Sequence, residues 1–142
     1  MEAEALLTLH GHGDDVAIVR ASRADLLRLS GRFEKASQVY EEVLAMGLED
    51  CVTEANVRKD LGEIALACDD LATAQASFEA AAALAAPAGA RAIVAHSRLG
   101  QARVAQRRGS SAQAATLAED AADLFERLGD LDRAYEARSV SA

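Results

Sequence analysis

The stretch from Arg58 to Pro87, RKDLGEIALACDDLATAQASFEAAAALAAP, decides the fold. Leu61 and Gly62 stand together, Asp69-Asp70 follows, Ala74 and Phe78 are four apart, Ala81 comes next and the chain's only proline closes the run. Apolar residues at spacings of three and four on both sides of the Asp-Asp break predict a helix, a tight turn and a second helix packed back on the first. Partial copies flank this unit, and a module recurring along a chain builds a stacked array that presents a surface.

Working outward, turn-forming residues punctuate the chain about every twenty positions. His10-Gly11-His12-Gly13-Asp14-Asp15, Gly31-Arg32, Gly47, Asp69-Asp70, Pro87-Ala88-Gly89, Gly109-Ser110-Ser111 and Gly129-Asp130 are the breaks. Between them helices are predicted over 15–30, 33–46, 51–68, 71–86, 90–108 and 112–128, with short flanking helices at 1–10 and 131–140, the last centred on 133–138. The first full helix is expected to bury Val16, Val19, Ala24, Leu26, Leu27 and Leu29. The second should bury Phe33, Ala36, Val39, Tyr40, Val43 and Leu44, and the third Val52, Ala55, Val57, Leu61, Ile64, Ala65 and Leu66. The chain thus reads as a single 1–142 domain of about three repeats, 15–47, 51–87 and 90–128.

Sliding the chain on itself aligns Gly31-x4-Ala36, Asp69-x4-Ala74 and Gly109-x4-Ala114, in steps of 38 and 40 residues. The same register groups Ala24 with Gly62 and Ala102, Ala36 with Ala74 and Ala114, and Val43 with Ala81 and Ala121. Small residues let helix backbones approach closely, so these are the expected contacts between neighbouring helices. Arg20, Arg58 and Arg98 also share one position and would form a ladder with carboxylates of the adjacent hairpin. Anchoring the third repeat on Leu99-Gly100 instead would break that ladder.

With Leu61-Gly62, Ala74-x3-Phe78 and Pro87, and a second match at Ala36-x3-Tyr40, the chain resembles the tetratricopeptide repeat (TPR) family over about residues 14 to 140. Arg58 and Ala65 replace the family's usual tryptophan and tyrosine, and the third copy keeps Ala114 with Ala118 at the aromatic position. The repeats exceed the family's usual length, and Leu124 to Asp130 is similar to the junction of the longer bacterial, maltose-regulator-like type. The resemblance implies an all-α fold: a right-handed superhelical array of antiparallel helix hairpins, a TPR-like α-solenoid whose first helices line a concave groove. Groove-facing candidates by repeat position are Ile18, Ala21, Asp25 and Arg28, then Asn56, Lys59 and Glu63, then His96, Arg103 and Arg107. A basic end at Arg103 and Arg107 would favour an acidic peptide, although arginines near a helix C-terminus also offset the helix dipole. The carboxylate clamp of some family members is missing, since its places fall on Ala21, Asp25, Asp60, His96 and Gly100.

Composition narrows the function classes. Net charge is -8, which excludes the clustered Lys and Arg footprint of a nucleic-acid binder. No run of about 18 apolar residues occurs, so no membrane span is expected. Met1-Glu2-Ala3-Glu4 is acidic where a secretion signal is basic, and a cytoplasmic setting follows. Cys51 and Cys68 lie about 25 Å apart along one predicted helix at about 1.5 Å per residue, too far to bridge, and are read as reduced thiols. Cys51, at a helix start, is expected to be a small buried or capping residue.

No catalytic, metal or cofactor site is expected. His10-x-His12-x-Asp14-Asp15 carries ligand-type side chains, but turn formation and helix capping account for them. The expected function is a non-enzymatic scaffold that binds a peptide or partner helix in the concave groove. The alternative is a ligand-sensing or self-associating repeat segment of a bacterial signalling or transcription regulator. A homodimer could then form through the terminal half-hairpins, which each leave an apolar stripe uncovered.

Overall fold

A computed structural model describes residues 13–140. Within them all regular structure is helical: α1 (Gly13–Leu29), α2 (Phe33–Ala45), α3 (Cys51–Ala67), α4 (Leu71–Ala85), α5 (Arg91–Arg107), α6 (Ser111–Arg127) and α7 (Leu131–Val140). Each lies within two residues of its predicted bounds. The helix expected over residues 1–10 falls outside the described residues, as do His10 and His12.

Local chemistry sets the boundaries. The Asp50 carboxylate caps α3 by accepting from the Val52 amide at 3.0 Å and the Thr53 hydroxyl at 2.7 Å. Asp70 and Asp130 do the same for α4 and α7, accepting from Thr73 and Arg133 amides. These side chains satisfy amides that the first helical turn leaves without partners. The hairpin turns close on a left-handed residue, and at the central one Asp69 takes φ 61° where Gly31 and Gly109 take 81° and 79°. Aspartate is among the few non-glycine residues that tolerate this region.

Helices joined by short turns fold back on one another as hairpins α1–α2, α3–α4 and α5–α6, with α7 packed on α6. The helices form two layers. α1, α3, α5 and α7 touch their neighbours within one layer, whereas α2, α4 and α6 touch only the flanking helices of the other. The seam between the first and second hairpins is thin: α2 meets α3 over a far shorter stretch than α4 meets α5. No described helix is long and apolar enough to cross a membrane.

All nine small residues grouped by the repeat register are buried. The Phe78 ring is the central wedge, fully buried between α3 and α5. A Cβ added at Gly100 would come within 2.4 Å of that ring, and one at Gly62 within 2.9 Å. The two glycines make room for the aromatic residue, and helix starts at 51 and 91 keep the step of 40.

Two expected core residues are exposed instead. Leu26 is 70% exposed, although the same position, the fourteenth of its helix, is buried as Ile64 in α3 and Val104 in α5. Those two pack against a preceding hairpin, and no described hairpin precedes α1. Leu29 is also exposed, at a helix end where Ala67 and Arg107 are exposed too. Cys51 and Cys68 are free thiols, and both are exposed, so Cys51 is not a buried residue; Asp50 supplies the cap.

Candidate functional site

The layer of first helices carries a cleft of about 230 Å³. Ile18, Ala21, Ser22 and Asp25 of α1 line one wall, Val52, Thr53, Asn56 and Val57 of α3 the other, and Ile93 of α5 closes one end. Spacings of three and four put each set on one helix face. Four of the groove-facing candidates, Ile18, Ala21, Asp25 and Asn56, therefore meet in one place. Among the described residues the Asn56 carboxamide makes no hydrogen bond, which leaves its donor and acceptor for a ligand.

One turn further along, Arg28, Lys59 and Glu63 surround Asp60, which is only 2% exposed. Arg28 reaches Glu63 at 3.2 Å and Asp60 at 3.8 Å, and the Lys59 ammonium lies 3.3 Å from the same Asp60 oxygen. That oxygen, Oδ1, is buried with no hydrogen bond. The Tyr40 hydroxyl donates to Asp25 and lies 3.4 Å from Asp60 Oδ2. One hydroxyl has one proton, so the two carboxylates compete for it.

Burial dominates the electrostatics of this cluster. It pushes the Asp60 carboxyl up to about 6, with Asp25 and Glu63 adding to the rise and Lys59 and Arg28 opposing it. Burial, the bond to Asp25 and the nearby Asp60 also push the Tyr40 phenol upward, so it stays protonated as a donor. Among the described residues Asp25 has no cation partner, and its hydrogen bond from Tyr40 is its one polar contact.

The remaining candidates are engaged elsewhere. His96 is half-buried, edge-on to Phe125 with ring centroids 5.0 Å apart, and burial together with Lys59 lowers its pKa. It is neutral at pH 7. Arg103 donates to Glu136 of α7. Arg107 donates to the Leu66 carbonyl at the end of α3 and lies 3.5 Å from Asp69. Both arginines thus tie successive hairpins together. Among the described residues the arginine ladder makes no carboxylate contacts between hairpins at two of its positions: Arg58 pairs with Glu54 and Arg98 bonds Gln101, each within its own helix.

Sequence reasoning missed Asp60 as the hub of the cluster, Tyr40 as its donor, and Ser22, Thr53 and Ile93 as cleft residues. Helix numbering offered one signal, because Thr53 and Ile93 are each the third residue of a first helix. A second cleft of about 530 Å³ lies on the other layer at the thin seam, floored by Leu44, Leu61 and Ile64. Two of its charged residues are already engaged, Arg58 with Glu54 and Asp70 as a helix cap. Among the described residues no group of His, Cys, Asp and Glu is arranged to hold a metal ion. No protein-family model matches the chain, and no curated protein matches its sequence.

Proposed function

We propose that the protein is a non-enzymatic, cytoplasmic interaction scaffold of long-repeat TPR type. Its hairpins form a right-handed superhelix whose concave side is the layer of α1, α3, α5 and α7, and a peptide or partner helix docks there. The observation that carries this reading is the inner cleft, where, among the described residues, the Asn56 carboxamide has no hydrogen bond and the Asp25 carboxylate no cation, beside the apolar Ile18, Val52, Val57 and Ile93. Side-by-side contact within that layer, and its absence within the other, supports curvature toward the cleft.

Affinity capture from the source organism's lysate tests the reading, comparing wild type with an Ile18→Glu/Asn56→Arg double variant. Both positions are at least partly exposed, so the melting temperature is expected to stay within a few degrees. Specifically captured proteins are expected to fall by about tenfold, the effect of losing one central anchor. Equal capture by both forms removes the cleft as the docking site.

A second reading, a self-associating segment of a bacterial signalling or transcription regulator, is favoured by α7. The fifth residue of each earlier first helix is a buried alanine, Ala17, Ala55 or Ala95. In α7 that position is Tyr135, 78% exposed, with Leu131 exposed one turn earlier. Sedimentation at high micromolar concentration is expected to show a dimer that Tyr135→Asp converts to monomer. A monomeric wild type at that concentration overturns the second reading.

A further inference from the structure

We infer that the inner cleft selects a basic, aliphatic peptide segment: a branched aliphatic side chain enters the cleft and an adjacent lysine or arginine pairs with Asp25. The inference rests on the docking role of the cleft and specifies its partner.

Size fixes the first element. The cleft, about 230 Å³, is smaller than the roughly 300–1,000 Å³ of most small-molecule sites. It holds one side chain rather than a cofactor. Ile18, Val52, Val57 and Ile93 give it apolar walls, which match a valine, leucine or isoleucine. Asn56 lines the cleft too, and among the described residues both its hydrogen-bonding functions are unused, open to the backbone of the docked segment.

Charge fixes the second. Among the described residues Asp25 is the only charged one lining the cleft. Behind it, Asp60 and Glu63 face Arg28 and Lys59, so the described carboxylates of this end exceed its cations by one. Asp25 is the unmatched one, and Asp60 holds a buried oxygen without a hydrogen bond beside it. An acidic segment would meet like charge here, and Arg103 and Arg107, the cations suited to receive it, are spent on Glu136, Leu66 and Asp69. A cationic group relieves the excess, and its attraction to a partly exposed carboxylate directs choice of partner more than it adds affinity.

The test selects a random linear peptide library on the intact chain and measures the enriched peptides by fluorescence anisotropy. Enriched sequences are expected to place Lys or Arg within two residues of Ile, Leu or Val. Ser22→Lys sets a cation one turn from Asp25 on an exposed position. It is expected to weaken binding about tenfold, whereas Gln113→Lys, the same charge added at an exposed position of α6 away from the cleft, leaves it unchanged. Ile18→Ser is expected to weaken every enriched peptide. Acidic enriched peptides, or basic ones indifferent to Ser22→Lys, overturn the inference; if they still respond to Ile18→Ser, the cleft remains the docking site. No enrichment, or binding indifferent to both substitutions, overturns the inference and the docking role together.

Discussion

Phe78→Ala is expected to cost about 3–5 kcal/mol in urea unfolding, a large part of the roughly 5–15 kcal/mol that holds a domain of this size together. The ring is fully buried and touches both α3 and α5, so its loss opens a cavity shared by two hairpins. Gly100→Ala should also destabilise, by about 1–3 kcal/mol. Alanine's helix propensity favours the change by about 1 kcal/mol, but a methyl carbon 2.4 Å from a ring with nowhere to go outweighs that gain. Gly62→Ala, where the approach is 2.9 Å, is expected to cost less. The decisive measurement is the double variant Phe78→Ala/Gly100→Ala. With the ring gone the methyl fills space and the helix gains propensity, so the two costs should fall short of additivity by about 1–3 kcal/mol. Additive costs would mean that the glycine and the ring are independent, and the wedge would not be what spaces the hairpins.

The second large effect concerns pH. Asp60 has a folded pKa of about 6, above the unfolded value of about 4. Between those values the folded chain holds a proton that the unfolded chain has released, so this group's contribution to stability falls as pH rises through the window. Asp60→Asn mimics the protonated form. It is expected to be more stable than wild type at pH 7.5 by on the order of 2 kcal/mol, and nearly equal to it at about pH 3.5, below both values. Subtracting one pH–stability curve from the other cancels the remaining carboxylates and isolates this residue. If Asp60→Asn destabilises the chain at pH 7.5, the ion pairs with Lys59 and Arg28 outweigh desolvation and the assignment is wrong.

The helices and their limits were legible because their punctuation is local. Asp50, Asp70 and Asp130 cap the helices that follow them, and glycine or Asp69 closes each hairpin, so each boundary is decided within a few residues. The packing register was legible for a related reason. A position requiring close helix approach admits few side chains, and Ala36, Ala74 and Ala114 repeat that restriction visibly.

Long-range matters were not legible. Leu26 sits on an apolar stripe like Ile64 and Val104, and periodicity reports the stripe without reporting whether a hairpin covers it. Arg103 and Arg107 carry the same charge whether they await a partner or bind Glu136 and the Leu66 carbonyl. The Tyr40–Asp25–Asp60 cluster joins three helices across separations of 15 and 20 residues. No short motif encodes it. The cleft was half legible: helix position identified Ile18, Ala21, Asp25 and Asn56, while Ile93 enters only because α5 lies beside α3.

The thin seam between the first two hairpins has a consequence for cooperativity. In a stacked array each unit is stabilised by its own packing and by coupling to its neighbours, and the whole melts as one only where every coupling is strong. Here the second and third hairpins share Phe78 and its two glycines, whereas the first meets them over a shorter seam, through Val57, Leu61 and Ile64 packed on α1 and α2 and the ionisable cluster around Asp60. The chain is thus built as a tightly coupled block and a more independent leading unit, and the inner cleft straddles the junction. A ligand seated there would act as a splint, strengthening the weakest seam between the hairpins.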